Sequence, residues 1–326
     1  MTEAPLTILC ITGWCRNGST IIGNVLNEVP GFFHVGELCF LWKNAAGRGS
    51  NNQCGCGRPL DECPTWSQIL PVGQPAGVSA AAHAATVIAR QRAYVRTRHT
   101  WHLLHRGLHC AGVREHADLM RRVYLAIAEA TGARVLVDTT KIPGESALLP
   151  HLTGIEPYYV HLVRDPRAVA GSWHQPKDYA YAMSANRSTA YWTGFNLAAR
   201  ALTRRYPQRA LTVRYEDFIT DPAATLAAML RLCGAGPGAV PLRGRVIDLG
   251  VNHTVTGNPD RLRGGATVIR DTDDSWRDTL PRSARLTASV LSWPLFWRYG
   301  YRYRDPGRPA GPGRPGAEGR PGGSGA

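Results

Sequence analysis

Lysine is almost missing from this chain. Only Lys43, Lys141 and Lys177 occur in 326 residues, so a net charge of +14 is carried almost wholly by arginine. A lysine at a motif position is therefore more informative here than an arginine. Long apolar runs are missing too. The longest candidate, Leu291 to Trp297, is short and broken by Pro294, against the roughly 18–20 apolar residues that a spanning helix needs; no membrane span is expected. The first residues, Met1-Thr2-Glu3-Ala4-Pro5, hold neither a positive region nor a small-residue cleavage site. They do not read as a signal peptide, and a cytoplasmic location is expected. No zinc finger, RNA-recognition signature, helix-turn-helix or internal repeat accompanies the basic excess. The charge then fits an anionic small ligand or a solvated surface, and no nucleic-acid partner is expected.

What is present is an apolar content of 44%, ample for one large core. Leu6 to Thr12, Val135 to Asp138, Tyr158 to Val163 and Ala210 to Arg214 read as short buried strands. Helices are predicted over Ser19 to Glu28 and over about 115–131, 167–174, 189–205 and 222–233. Strands alternating with helices predict an α/β fold, a P-loop-type parallel sheet flanked by helices. Residues 1–304 are taken as one domain, with an inserted loop and helical lid or acceptor subdomain at about 38–115. Its second part reads as one helix from Ala80 to about His105. Residues 305–326 are Gly, Pro and Arg with almost nothing apolar; they cannot offset the entropy of ordering and are expected to be a disordered tail.

Cysteines cluster in Cys54-Gly-Cys56-Gly-Arg-Pro-Leu-Asp-Glu-Cys63. Disulfides are unexpected in a cytosolic chain. Two readings stay open: free thiols in a Gly/Pro-rich loop, or part of a zinc site with Cys39 or His34 as the fourth ligand. The paired C-x-C…C-x-C spacing is missing, and no metal is assigned.

Gly13-Trp-Cys-Arg16-Asn17-Gly18-Ser19-Thr20 follows the first strand and opens a helix, with the spacing G-x-x-x-x-G-x-T. Backbone N–H groups and a helix N-terminus there suit a phosphate or related anion. Where a nucleotide triphosphatase carries lysine, this chain has Ser19, and its cation sits earlier, at Arg16. A triphosphate is usually handled with Mg²⁺ plus the loop lysine. A less densely charged group asks for less, so Arg16 with N–H and hydroxyl donors from Asn17 to Thr20 is expected to suffice, with no metal required.

The second anchor is Tyr158-Tyr-Val-His-Leu-Val-Arg164-Asp-Pro-Arg-Ala-Val-Ala-Gly-Ser172. Asp165 caps the next helix and Pro166 fits its first turn. Arg164 then falls at the carboxyl end of a parallel strand, where open α/β sheets bind ligands, and Arg164 and Ser172 can grip one phosphate from two sides.

Taken in order, these segments resemble the donor-binding motifs of sulfotransferases that use 3′-phosphoadenosine 5′-phosphosulfate (PAPS). Cys15-Arg16-Asn-Gly-Ser-Thr resembles the 5′-phosphosulfate loop in the form found in carbohydrate and tyrosylprotein enzymes, and Arg164…Ser172 the 3′-phosphate motif. Val213-Arg-Tyr215-Glu-Asp-Phe is similar to a further family segment near the nucleotide. The resemblance extends through Gly36-Glu-Leu, Asp138-Thr-Thr-Lys-Ile-Pro and Val251-Asn-His-Thr-Val-Thr-Gly-Asn-Pro, and looks closest to actinobacterial members with a Cys-Gly-Cys-Gly insert. It implies a sulfuryl donor, PAPS, bound by Arg16, Asn17, Gly18, Ser19, Thr20, Arg164, Ser172, Tyr215 and Arg263. It further implies a small-molecule, sugar or peptide-like hydroxyl acceptor.

Four residues are expected to be catalytic: Arg16, Glu37, Lys141 and His253. Glu37 is either the base that takes the acceptor's proton or a residue that orients the site; the tyrosylprotein enzymes have two adjacent acids where this chain has Glu37 then Leu38. Lys141, where the resemblance places a catalytic lysine, neutralises charge on the transferring group or pairs with Asp138. His253 is either a base or a cap of the loop over the nucleotide. The histidines of the insert, among them His83 and His116, read as surface or acceptor-pocket residues, and the aromatic stretch Gln175–Thr193, with Tyr179, Tyr181, Tyr191 and Trp192, as acceptor lining. The competing readings are a P-loop kinase, for which Asp138 imitates a metal-binding strand end, and an RNA-binding protein resting on charge alone.

Overall fold

The structure, a computed structural model, describes residues 4–47, 52–176, 181–236, 240–271 and 274–303. The expected tail lies outside these residues, as does Tyr179. In chain order, β1 (Leu6–Thr12) leads through the Gly13–Gly18 loop into α1 (Ser19–Asn27), and then into β2 (Phe32–Gly36). The insert follows with α2 (Leu41–Ala45), α3 (Trp66–Ile69), α4 (Ala80–Tyr94), α5 (Thr100–Arg106) and α6 (Ala111–Thr131). Next come β3 (Val135–Lys141), α7 (Pro143–Leu148), β4 (Ile155–Val163), α8 (Pro166–His174), α9 (Ala185–Arg205), β5 (Ala210–Arg214), α10 (Tyr215–Thr220) and α11 (Pro222–Leu232). The chain closes with the hairpin strands β6 (Val246–Leu249) and β7 (Gly265–Val268), then α12 (Trp276–Thr279), α13 (Arg282–Leu291) and α14 (Leu295–Arg298).

The main sheet has the order β2-β3-β1-β4-β5, and every pairing is parallel. Successive side chains of a strand point to opposite faces, and β1 uses both. Leu9 and Ile11 face a core shared with Ile22, Val25 and Leu26 of α1 and Leu226 and Met229 of α11. Ile8 and Cys10 face a core shared with Val113 and Val123 of α6 and Val87 of α4. Burial on both faces is why β1 reads as an uninterrupted apolar run.

The expected strands are all present, β3 and β4 being longer than predicted. β2 and the β6–β7 hairpin were not predicted: Phe32–Gly36 is short and sits at a sheet edge, and Val246 and Val268 are exposed, so neither segment carries a buried-strand pattern. The insert differs from expectation in two ways. Its long helix is broken between α4 and α5, and at the break Gly144 of α7 packs against the carbonyls of Val95 and Arg96. Its apolar face also enters the same core as β1 and β3, through Trp42, Trp66, Val87 and Leu103. Among the described residues, none from 38–115 lines the cleft described below. The described part of the insert is thus a packed layer on the sheet. His83 and His116 are likewise buried and not at the surface; His116 meets Glu145 at 3.0 Å. No described helix is long and apolar enough to cross a membrane.

Candidate active site

The carboxyl ends of β1, β3 and β4 open into a cleft of about 560 Å³. Its floor is the Gly13–Thr20 loop. Gly13 (φ 140°) and Gly18 (φ 89°) take backbone conformations that a side chain would strain. A Cβ at Gly13 would strike the Leu162 carbonyl, and one at Gly18 would enter the Tyr215 ring. Gly18 stands at the N-cap of α1 and, having no side chain, does not cap that helix end itself, which leaves N–H groups beyond Ser19 as donors for an anion. The loop is tied down from within. Asn17 Nδ2 donates to Leu162 O at 3.0 Å, and Asn17 Oδ1 accepts from Ser19 N at 3.3 Å. The Asn17 side chain is therefore spent on holding the loop to β4, and only its backbone remains for a ligand. Beside it Trp14 stacks on Tyr191 at 5.0 Å and meets Phe195 at 4.7 Å, anchoring the loop to α9.

Among the described residues, only Arg16 (φ 69°) and Lys141 (φ 66°) are non-glycine residues in the left-handed region. Both line the cleft. The Arg16 guanidinium lies 4.8 Å over the Trp173 ring. Lys141 is re-aimed by a register shift: two steps along β1, from Cys10 to Thr12, match three along β3, from Asp138 to Lys141. Such bulges turn side chains toward sites at strand ends. Lys141 Nζ forms a short ion pair with Glu37 and also donates to Thr139 O at 3.2 Å. Burial pulls the Lys141 pKa down, but the Glu37 carboxylate outweighs it, and the ammonium is held above the ordinary lysine range. The expected alternative partner, Asp138, is elsewhere. Its carboxylate accepts from Tyr124 OH at 2.6 Å and Thr140 N at 2.8 Å, and burial raises its pKa. It lies on the α6 face of the sheet and does not line the cleft, so it does not serve as a metal-binding acid beside Ser19.

Arg164 stands as expected at the end of β4. Asp165 caps α8, accepting from Arg167 N at 2.8 Å, with Pro166 in the first turn. The Arg164 guanidinium donates from Nη1 to Arg16 O at 3.0 Å and lies 4.8 Å over the Tyr215 ring, while its Nε is buried without a hydrogen-bond partner. Trp192 is not acceptor lining: it is fully buried, and its Nε1 donates to Arg164 O at 2.9 Å, fixing the arginine's backbone. Ser172 faces the same cleft from α8, and Arg263 reaches its rim paired with Asp260 at 2.9 Å. Sequence reasoning missed Trp276, which packs so tightly on Gly171 of α8 that a methyl there would collide with it. It also missed the β6–β7 wall, which brings Leu249 and Thr267 to the cleft. The small residue at 171 two turns from a strand end was the only local signal for that contact.

Two expected residues sit outside this constellation. His34 is buried with Nδ1 on Asn24 Oδ1 (3.2 Å) and Nε2 on Thr139 Oγ1 (3.1 Å), and burial pushes its pKa down to about 3. It is a neutral pin between α1, β2 and β3, with no nitrogen left for a metal. His253 does not face the cleft as a base or a cap. Its Nδ1 lies 3.3 Å from Cys63 Sγ and 3.7 Å from Cys54 Sγ, because the 252–256 segment packs against the cysteine-bearing turn.

A family model described as the sulfotransferase family matches residues 9–236. No curated protein matches. Similar solved structures include the sulfotransferase domain of the Synechococcus PCC 7002 olefin synthase, 20% identical over 93% of this chain and 97% of that one, with a TM-score of 0.49. The sulfotransferase domain of the curacin biosynthetic pathway is 17% identical over 90% of this chain and 99% of that one, also at 0.49. Retinol dehydratase, solved with androsterone and the inactive cofactor PAP, is 11% identical over 94% and 84%, at 0.34. Since the family model spans well over half of the chain, this protein belongs to the sulfotransferase family and is a transferase by that membership.

Proposed function

We propose that the protein transfers a sulfuryl group from PAPS to a hydroxyl of a small-molecule, sugar or peptide-like acceptor. The carrying observation is that one cleft holds two separate cationic anchors, Arg16 in the loop and Arg164 at the end of β4, with the Glu37–Lys141 pair beside them. A donor with phosphate groups at both ends of its ribose asks for that arrangement. The fit is supported by the buried, unpartnered Arg164 Nε and by the close seating of Tyr215 on Gly18. When bound, the donor supplies the activated sulfuryl group.

The chain's own residues divide the work. Backbone N–H groups at the start of α1, with Arg16, hold the phosphosulfate end. Arg164 and Ser172 hold the 3′-phosphate, and this second grip is what distinguishes the donor from a simple adenylate. Glu37 accepts the acceptor's hydroxyl proton as its oxygen bonds to sulfur. Lys141 presents positive charge to the oxygen on which charge develops as the old S–O bond breaks. In the resting protein these two neutralise each other. Both sit on adjacent strand ends, so the pair is preorganised by the sheet.

The test is titration calorimetry with adenosine 3′,5′-bisphosphate, without Mg²⁺, against adenosine 5′-phosphate. Tighter binding of the bisphosphate by tenfold or more supports the reading. Equal binding of both, or binding only with Mg²⁺ and a triphosphate, refutes it in favour of a P-loop kinase.

A further inference from the structure

We infer that Cys54, Cys56, Cys63 and His253 form a structural zinc site, separate from the cleft. One ligand atom from each of the four lies within 4.8 Å of all the others. The closest approaches are 3.4 Å between the Cys54 and Cys63 sulfurs, and 3.3 and 3.7 Å from His253 Nδ1 to Cys63 and Cys54. A tetrahedron with Zn–S bonds of ~2.3 Å has edges of about 3.8 Å, so an adjustment of a few tenths of an ångström at the closest pairs, and up to about 1 Å at the widest, seats all four around an ion. Three thiolates and one imidazole at tetrahedral spacing are a zinc donor set, too soft for magnesium or calcium.

The surrounding chain is shaped for it. The turn closes through Cys54 N to Arg58 O at 2.8 Å and Gly57 N to Cys54 O at 2.9 Å, with Gly57 at φ 84°. Gly55 must be glycine, since a Cβ there would enter the Asn252 amide. His253 is fixed through its backbone, its carbonyl accepting from Trp66 Nε1 at 2.6 Å. Charge also balances. Zn²⁺ with three thiolates and a neutral imidazole carries one net negative charge, and the buried Arg261 lies alongside, donating to Gln53 O at 2.7 Å and Thr254 O at 3.2 Å.

The site would staple two segments 190 residues apart in sequence. Residues 252–256 bond to the core through Val255 N to Val35 O at 3.0 Å and meet Glu37 N through Thr256 O at 3.4 Å. Thr256 and the two residues after it then wall the cleft. The metal fastens that wall without touching ligand, and the inference stands whether or not the donor is PAPS.

The test is metal analysis of the full chain purified reduced and without chelator, followed by replacement with Co²⁺. Expected are about one zinc per chain and, with cobalt, strong visible bands plus a near-ultraviolet thiolate charge-transfer band that mark a tetrahedral thiolate site. Cys56→Ser, at a partly exposed position, should keep its circular dichroism while that charge-transfer band weakens and zinc passes to a competing chelator at least about tenfold faster. His253→Ala should do the same. Zinc below about a tenth of an equivalent after anaerobic reconstitution would overturn the inference. So would a Cys54–Cys63 disulfide in the protein as isolated, or a cobalt spectrum unchanged in both variants.

Discussion

On the sheet side of the cleft, each charged group is held from beneath. Asn17 ties the loop to β4, Trp192 fixes the Arg164 backbone, and Lys141 is buried against Glu37. On the opposite side, the wall of β6, β7 and α12 is seated by the buried Ile247, Leu249 and Trp276, but its charged groups lie at the surface. Its ion pairs, Arg245–Asp271 at 3.3 Å, Arg263–Asp260 at 2.9 Å and Arg277–Asp274 at 3.4 Å, all involve well-exposed side chains. Exposed pairs of this kind contribute little and are screened by salt. The contrast separates two demands. On the function proposed above, the charges that meet the transition state are buried or tied down at the carboxyl end of the sheet, while those of the facing wall are exposed and individually weak.

Lys141→Ala should have the largest effect on rate. Turnover is expected to fall by about 100- to 1,000-fold, measured as sulfate transfer from labelled PAPS to any accepted hydroxyl compound. A fall in kcat under about threefold would mean that Lys141 is only Glu37's counter-ion. Next comes Arg16→Ala, at roughly 2–4 kcal/mol in kcat/KM through loss of a charge-assisted contact to the phosphosulfate; near-wild-type activity would remove the loop cation from the argument. Arg164→Ala should act on discrimination more than on rate. The preference for PAPS over adenosine 5′-phosphosulfate should shrink by about tenfold or more, and an unchanged preference would place the 3′-phosphate elsewhere. At the bottom of the scale, Arg263→Ala, on the opposite wall, should weaken nucleotide binding by no more than about threefold, an effect that vanishes in high salt. A loss as large as that for Arg164 would erase the contrast between the two walls.

The sheet side also carries a pH signature. Burial lowers the pKa of His34 to about 3 and of His161 to about 4. The unfolded chain takes up these protons near pH 6.5 while the folded chain resists them. Stability from both groups is therefore complete above about pH 6.5 and declines as pH falls toward the folded values, by about 1.4 kcal/mol per unit for each. Chemical denaturation at several pH values between 7 and 5 should show it, and a flat profile would mean that the two imidazoles are wet.

The parts of the site that sequence reading reached are those written in one stretch. The Gly13–Thr20 loop and the Arg164…Ser172 anchor each lie at a strand–helix junction, where turn residues, cap and cation are neighbours in the chain. What it did not reach depends on sheet order. Glu37 and Lys141 meet because β2 and β3 are adjacent strands, and nothing in either local sequence names the other as partner; Asp138 was the nearer candidate in the chain. His253 is the same case in stronger form, since its cysteine neighbours are set by how a distant segment folds back. Trp192 looked like binding-surface aromatics and is instead core, because helix α9 turns that position toward the Arg164 backbone.

The two left-handed side-chain-bearing residues have a consequence for how this protein would change over time. An L-residue in that conformation costs about 1–2 kcal/mol that glycine does not. A lineage screened only for solubility and heat resistance would be free to drift to glycine at 16, where the guanidinium reaches toward the cleft and packs on Trp173. An arginine in that conformation answers a demand other than folding alone. Position 16 is where a stabilising library and a library selected for turnover should diverge.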